Sequence, residues 1–186
     1  MANSIYDVPI HNSSRTYLKN SIVFVKSNIG DSGIPKEIKY YYALEDVPAG
    51  QAITATQYWG GYMNAQNGES IPNFLWTPSY NLSTSHNPRV NSVVFGNGYE
   101  QRIPDGIYTG LITLDVSFDM RSENETRAII HFLRTRKGAE SFAVQNLPEI
   151  YADSNYTKRF VCPSFNSNFA FHNNYSIKTQ FVETNN

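Results

Sequence analysis

Leu111-Ile112-Thr113-Leu114-Asp115-Val116-Ser117-Phe118, followed almost at once by Ser122-Glu123-Asn124-Glu125, decides how this chain folds. In the first segment Ile112, Leu114, Val116 and Phe118 fall on one side of an extended backbone, and Thr113, Asp115 and Ser117 on the other. Such alternation predicts a strand with one buried and one wet face. The second segment reads as a capping box, in which the Ser122 hydroxyl accepts from the Glu125 amide and the Glu125 carboxylate reaches back. Behind it Ile129, Phe132 and Leu133 stand at i, i+3 and i+4, an apolar stripe on one helix expected over residues 123–137. Arg134, Arg136 and Lys137 suit the negative end of its macrodipole, and Gly138 is a natural residue to end it.

Upstream lies Val93-Val94-Phe95-Gly96-Asn97-Gly98-Tyr99-Glu100-Gln101-Arg102. An apolar run stops at Gly-Asn-Gly and restarts with an aromatic, as in a tight hairpin with left-handed backbone at the glycines. Gly96 and Gly98 are both expected there, with the Tyr99 ring packed and Glu100 and Arg102 on one polar strand face. Downstream come short strands at Ser141–Val144 and Arg159–Cys162, then a final one over Tyr175–Val182. That last strand alternates Tyr175, Ile177, Thr179 and Phe181 against Ser176, Lys178 and Gln180. Many strands with one helix predict a mainly β chain, a sandwich or barrel carrying one packed α-helix.

This succession, with its Phe-Gly-Asn-Gly-Tyr-x-Gln-Arg segment, resembles the phage minor tail protein M family over residues 74–186. The resemblance implies a tail-tube-like fold and a structural role, not an enzyme. It implies a ring, most simply a hexamer, at the tip of a long non-contractile tail, joining the tube to the baseplate hub. The implied partners are further copies of the chain, the tail tube protein, the hub or another distal tail protein, and the tape-measure protein inside. DNA would only pass through the lumen. The expected location is the virion, with assembly in the host cytoplasm. Phe95, Gly96, Gly98, Tyr99, Gln101 and Arg102 form the signature loop, and Arg102 is a candidate donor to a neighbouring subunit.

Composition agrees. Aromatics make up 14% of the 186 residues and charged residues only 17%, which suits sheets and large protein contacts. A net charge of -1 supplies no general attraction for nucleic acid or acidic membrane. No apolar run approaches the roughly 20 residues that span a bilayer, and MANSIYDVPI lacks the basic-then-apolar pattern of a signal peptide. Cys162 is the single cysteine, which excludes an internal disulfide framework and fits a reducing compartment.

Catalytic and metal signatures are missing. His11, His86, His131 and His172 are scattered, with no His-x-x-x-His or Cys-x-x-Cys pair. Gly96-Asn97-Gly98 begins like a dinucleotide fingerprint, but Gln101 stands where the third glycine belongs. Glu45 and Asp46 are adjacent, so a strand points them to opposite faces. Arg134-Thr135-Arg136-Lys137 is the one basic run, read as a solvated helix end, or else as a surface for an acidic neighbour or DNA in transit. No cofactor, metal or catalytic residue is expected.

Residues 1–63 read as a separate unit, with strands at Asn20–Val25 and Ile38–Leu44, a loop over Asn28–Lys36, and a close on Gln57–Gly61. Residues 64–73, with the polar Asn64–Ser70 stretch, form the candidate linker to a domain at 74–186. Asn20-Ser21-Ile22-Val23, Tyr40-Tyr41-Tyr42-Ala43, Pro48 and Tyr58-Trp59 resemble the small carbohydrate-binding module of chitinases, which implies a three-stranded β module. Tyr41, Tyr42, Tyr58 and Trp59 are its candidate sugar or docking aromatics. Leu44-Glu45-Asp46 stands where chitin binders often place paired aromatics, and sugar rings stack on exposed aromatic faces. A docking or decoration module is the reading preferred over sugar binding. The alternative for the whole chain is a carbohydrate-binding receptor-recognition protein of the tail tip. A cell-wall hydrolase would need a catalytic carboxylate or metal site that no residues supply.

Overall fold

Residues 8–29, 35–61, 71–106, 110–148, 151 and 158–185 are described by the computed structural model. They are mainly β. In chain order the elements are β1 (Ile22–Ile29), β2 (Pro35–Ala43), β3 (Trp59–Gly61), β4 (Asn73–Phe74), β5 (Ser83–His86), β6 (Val90–Val94) and β7 (Glu100–Pro104). Then follow β8 (Ile112–Arg121), α1 (Glu123–Thr135), β9 (Phe142–Val144), β10 (Arg159–Val161), β11 (Phe165–Phe171) and β12 (Asn174–Thr184).

The alternation of β8 is realised: Ile112, Leu114, Val116 and Phe118 are buried, and the residues between them are not. β12 lies antiparallel beside it, burying Ile177, Thr179 and Phe181. These two long strands sit within a seven-stranded sheet ordered β4-β9-β10-β12-β8-β5, with β11 also paired to β12. The sheet is open and does not close into a barrel. Among the described residues, α1 supplies the helix expected to pack on it, burying Ala128, Ile129, Phe132 and Leu133 in the same cluster as the sheet residues.

Phe74 is the centre of that cluster. Its ring meets Trp76 at 5.0 Å, Phe181 at 5.3 Å, Phe132 at 5.4 Å and Phe118 at 5.5 Å, in tilted or edge-to-face geometry. Such ring pairs add roughly 0.5–1.5 kcal/mol each beyond their burial. Six of the 11 phenylalanines lie in this core.

Ser122 caps α1 as expected, accepting from the Glu125 amide at 3.3 Å. The second half of the box differs, because the Glu125 carboxylate is held by Arg121 at 2.9 Å and by the Asn20 side chain at 3.3 Å. At the other end Arg136 is the C-cap and Lys137 takes the left-handed backbone expected of Gly138, which is left-handed as well. The basic run is not simply solvated. Arg136 is buried over the Phe132 ring and paired with Glu140 at 2.7 Å.

Near the N-terminus β1, β2 and β3 form the expected three-stranded antiparallel sheet. Its two faces do different things. Val23 and Ala43 join Val47 and Trp59 in a small core of their own, whereas Ile22 and its cross-strand partner Tyr42 belong to the large core with Phe74 and Trp76. Tyr42 meets Trp76 at 5.1 Å and donates its hydroxyl to Asn20, and Tyr40 lies 4.5 Å from the His131 ring on α1. Burial, then the Glu125 charge, push the Tyr42 phenol pKa up to about 12. The expected linker lies outside the described residues over 64–70, and its last residue, Asn73, already opens β4.

Candidate assembly surface

Among the described residues β6 and β7 pair only with each other, as a two-stranded ribbon inserted in the chain between β5 and β8. Every residue of both strands is exposed. Val90, Val93, Val94, Phe95, Tyr99 and Ile103 are large apolar or aromatic side chains left in water. A free two-stranded hairpin is marginal by itself, and clustered exposed apolar groups mark interaction surfaces.

The turn at its tip is the one read in the sequence. The Phe95 amide donates to the Tyr99 carbonyl at 2.8 Å and the Gly98 amide to the Phe95 carbonyl at 2.9 Å. Asn97 Oδ1 accepts from the Tyr99 amide at 3.1 Å. Gly98 has a φ of 82°, as a three-residue hairpin loop ending in a left-handed glycine requires. Gly96 does not share that conformation, because a single left-handed residue suffices to turn this loop. Tyr99 is not packed as expected. It is exposed, its ring tilted by 35° to that of Phe95 with centres 5.9 Å apart. Gln101 is exposed on β7. Arg102 and Glu100 share a face and pair at 2.8 Å, with the Arg102 side chain 71% exposed.

No pattern in the residue order marks a second surface. Thr77–Leu82, Asp119–Arg121 and Gln145–Pro148 line a groove of about 1210 Å³. At its rim Tyr80 is 96% exposed and Met120 is 82% exposed. Met120 has a φ of 57° and occupies a bulge where β8 carries one residue more than β12 between paired positions. Bulges re-aim side chains, and a left-handed non-glycine residue is strained. A second, more polar depression of about 570 Å³ lies on the wet face of β8 and β12, lined by Asp115, Ser117, Lys178 and Gln180.

The candidate aromatics of the N-terminal sheet point inward. Trp59 is buried against Tyr17 and His11, with ring centres at 5.3 and 5.4 Å, and Tyr42 is buried in the large core. Tyr41 and Tyr58 are half-buried beside Trp59. The structure therefore gathers three of the four around one small core rather than on a flat outer platform. Burial lowers the pKa of His11, and burial followed by the Arg134 and Arg136 charges lowers His131 to about 4. Burial raises the Cys162 thiol, which hydrogen-bonds with Thr179 at 3.0 Å. These are packed groups. Among the described residues no cluster of His, Cys, Asp or Glu could hold a metal ion.

A mainly β chain with its apolar surplus displayed on a projecting ribbon is built to assemble with other proteins. Its sequence matches the family described as phage minor tail protein over residues 72–184, more than half of the chain, and it belongs to that family. It is thus a structural component of a phage tail, and so of the virion, and works in contact with other tail components. No curated protein matches the sequence.

Proposed function

We propose that this protein is a ring subunit of the minor tail protein M kind, placed at the tip of a long, non-contractile tail. Several copies, most simply six, close around the lumen and join the tail tube protein to the baseplate hub. The tape-measure protein lies inside, and DNA passes without being held. The observation that carries this reading is the ribbon, whose exposed Val94, Phe95, Tyr99 and Ile103 need cover that the described residues of this chain do not provide. The loop residues Phe95, Gly96, Gly98, Tyr99, Gln101 and Arg102 belong to that contact, with Gly98 shaping the turn and Arg102 offering a fixed donor. Residues 1–63 act as a docking module on the outside of the ring. The inward turn of Trp59 and Tyr42 leaves neither available for sugar stacking, which favours docking over carbohydrate recognition. Quantitative mass spectrometry of purified tails tests the ring: several copies per tail are expected, and one copy per tail would exclude it.

A further inference from the structure

The ribbon and the groove sit at opposite ends of one strand pair. His86, the last residue of β5, is registered with Ile112 at the start of β8, and the ribbon leaves from there, its base closed by the Asp105 amide on the Arg89 carbonyl. The groove is formed at the far end of β8, by Asp119–Arg121 and by the segment leading into β5. Ten residues of strand separate the two ends, roughly 30 Å at about 3.4 Å per residue.

From this we infer that the β6–β7 ribbon of one subunit seats in the Tyr80–Met120 groove of the next copy of this chain. The inference rests on the ring reading and names the receiving surface. The ribbon offers Val94, Phe95 and Tyr99 from its tip, and the groove offers Tyr80, Met120 and Leu147. Charge agrees as well. The Arg102 guanidinium, paired on the ribbon with Glu100 through one nitrogen, has further donors that would meet the exposed Asp119 carboxylate at the groove, which otherwise accepts from the Ser117 hydroxyl at 3.0 Å. The strained Met120 bulge gains a purpose, since it holds a flexible apolar side chain out at the rim, where an incoming strand pair can be packed. Because donor and acceptor are different surfaces, the contact is head-to-tail, and such contacts generate closed rings when the rotation between copies closes.

The test is cross-linking between copies in assembled tails. Val94→Cys and Met120→Cys are substitutions at positions 69% and 82% exposed, so neither disturbs the core, and the native Cys162 is buried and does not compete. Tails are assembled with the two variants together and with each alone, then treated with a short bifunctional maleimide. A cross-linked pair of chains is expected only when both variants are present. Tails that hold several copies yet yield no such pair would overturn the ribbon-in-groove contact while leaving the ring intact. A cross-link confined within single chains, seen when a double variant is diluted with the natural protein, would overturn it as well. One copy per tail would remove the ring reading and this contact together.

Discussion

Tyr42→Ala is expected to destabilise the whole protein, not just the small N-terminal sheet. Its ring is buried in the large core against Trp76, and its hydroxyl donates to Asn20, which in turn bonds Glu125 at the start of α1. Truncating a buried aromatic side chain costs about 3–5 kcal/mol, and at this chain length about 2–4 °C of melting temperature accompanies each kcal/mol. A fall of roughly 6–20 °C follows. Tyr42→Phe keeps the ring and strands the Asn20 acceptor, so it should cost only about 1–2 kcal/mol. The two tryptophans make the assay local. Trp59 reports the small core and Trp76 the large one, so single-tryptophan variants followed by fluorescence in guanidinium read each core separately. Both transitions should move together in the Tyr42→Ala background. A loss below about 1 kcal/mol, or a shift confined to the Trp59 signal, would refute the claim that Tyr42 joins the two.

His131 should make stability fall in acid. Its folded pKa of about 4 lies below the ordinary 6.5, so the unfolded chain binds more protons between those values and stability is lost as pH drops through that window. The ring is only half-buried, so about 1–2 kcal/mol between pH 7 and 5 is expected after allowing for screening, and His131→Phe should flatten that slope in pH-dependent urea melts. Gly98→Val forces a β-branched residue to a φ of 82° and should cost the ribbon about 1–3 kcal/mol, read as faster amide exchange at Phe95. Gly96→Ala, where an added Cβ meets nothing within 4 Å and φ is not left-handed, should leave that exchange unchanged. A fragment of residues 71–186 should still fold, because Phe74, Phe118, Phe132 and Phe181 remain together, but with about 5 kcal/mol less stability once Ile22, Tyr42 and Tyr40 no longer cover Trp76 and His131. Circular dichroism of that fragment as an unfolded chain would make residues 1–63 part of one indivisible fold.

What could be read in the sequence was whatever obeyed a strict period. β8 and β12 alternate cleanly, and α1 has both a cap and an apolar stripe, so their existence and buried faces followed from residue order. β5, Ser-Thr-Ser-His, is a four-residue edge strand with no apolar face to signal it. β11 sets Phe165, Phe169 and Phe171 at alternate positions interrupted by Ser167, but Phe169 and Phe171 are exposed and its register breaks between them, so burial never enforced a pattern. The hairpin at Gly96–Gly98 was legible from turn chemistry, and Gly98 alone meets the left-handed requirement. That its flanking valines stand in water was not legible, because an apolar strand in sequence looks the same whether its cover comes from its own chain or another. Nor did periodicity reveal that Tyr42 faces a different core from Ala43, its neighbour. The groove at Met120 depends on a one-residue bulge, which sequence spacing does not announce.

Copies of this chain are proposed to close into a ring at the tail tip with their ribbons bridging neighbours. An electron cryo-microscopy reconstruction of that region measures it directly. A closed symmetric ring of this fold between tube and hub is expected, with β6–β7 of each subunit seated beside Tyr80 and Met120 of the next. Density for this chain at a single asymmetric position, or with its ribbon free in solvent around a closed ring, would contradict it.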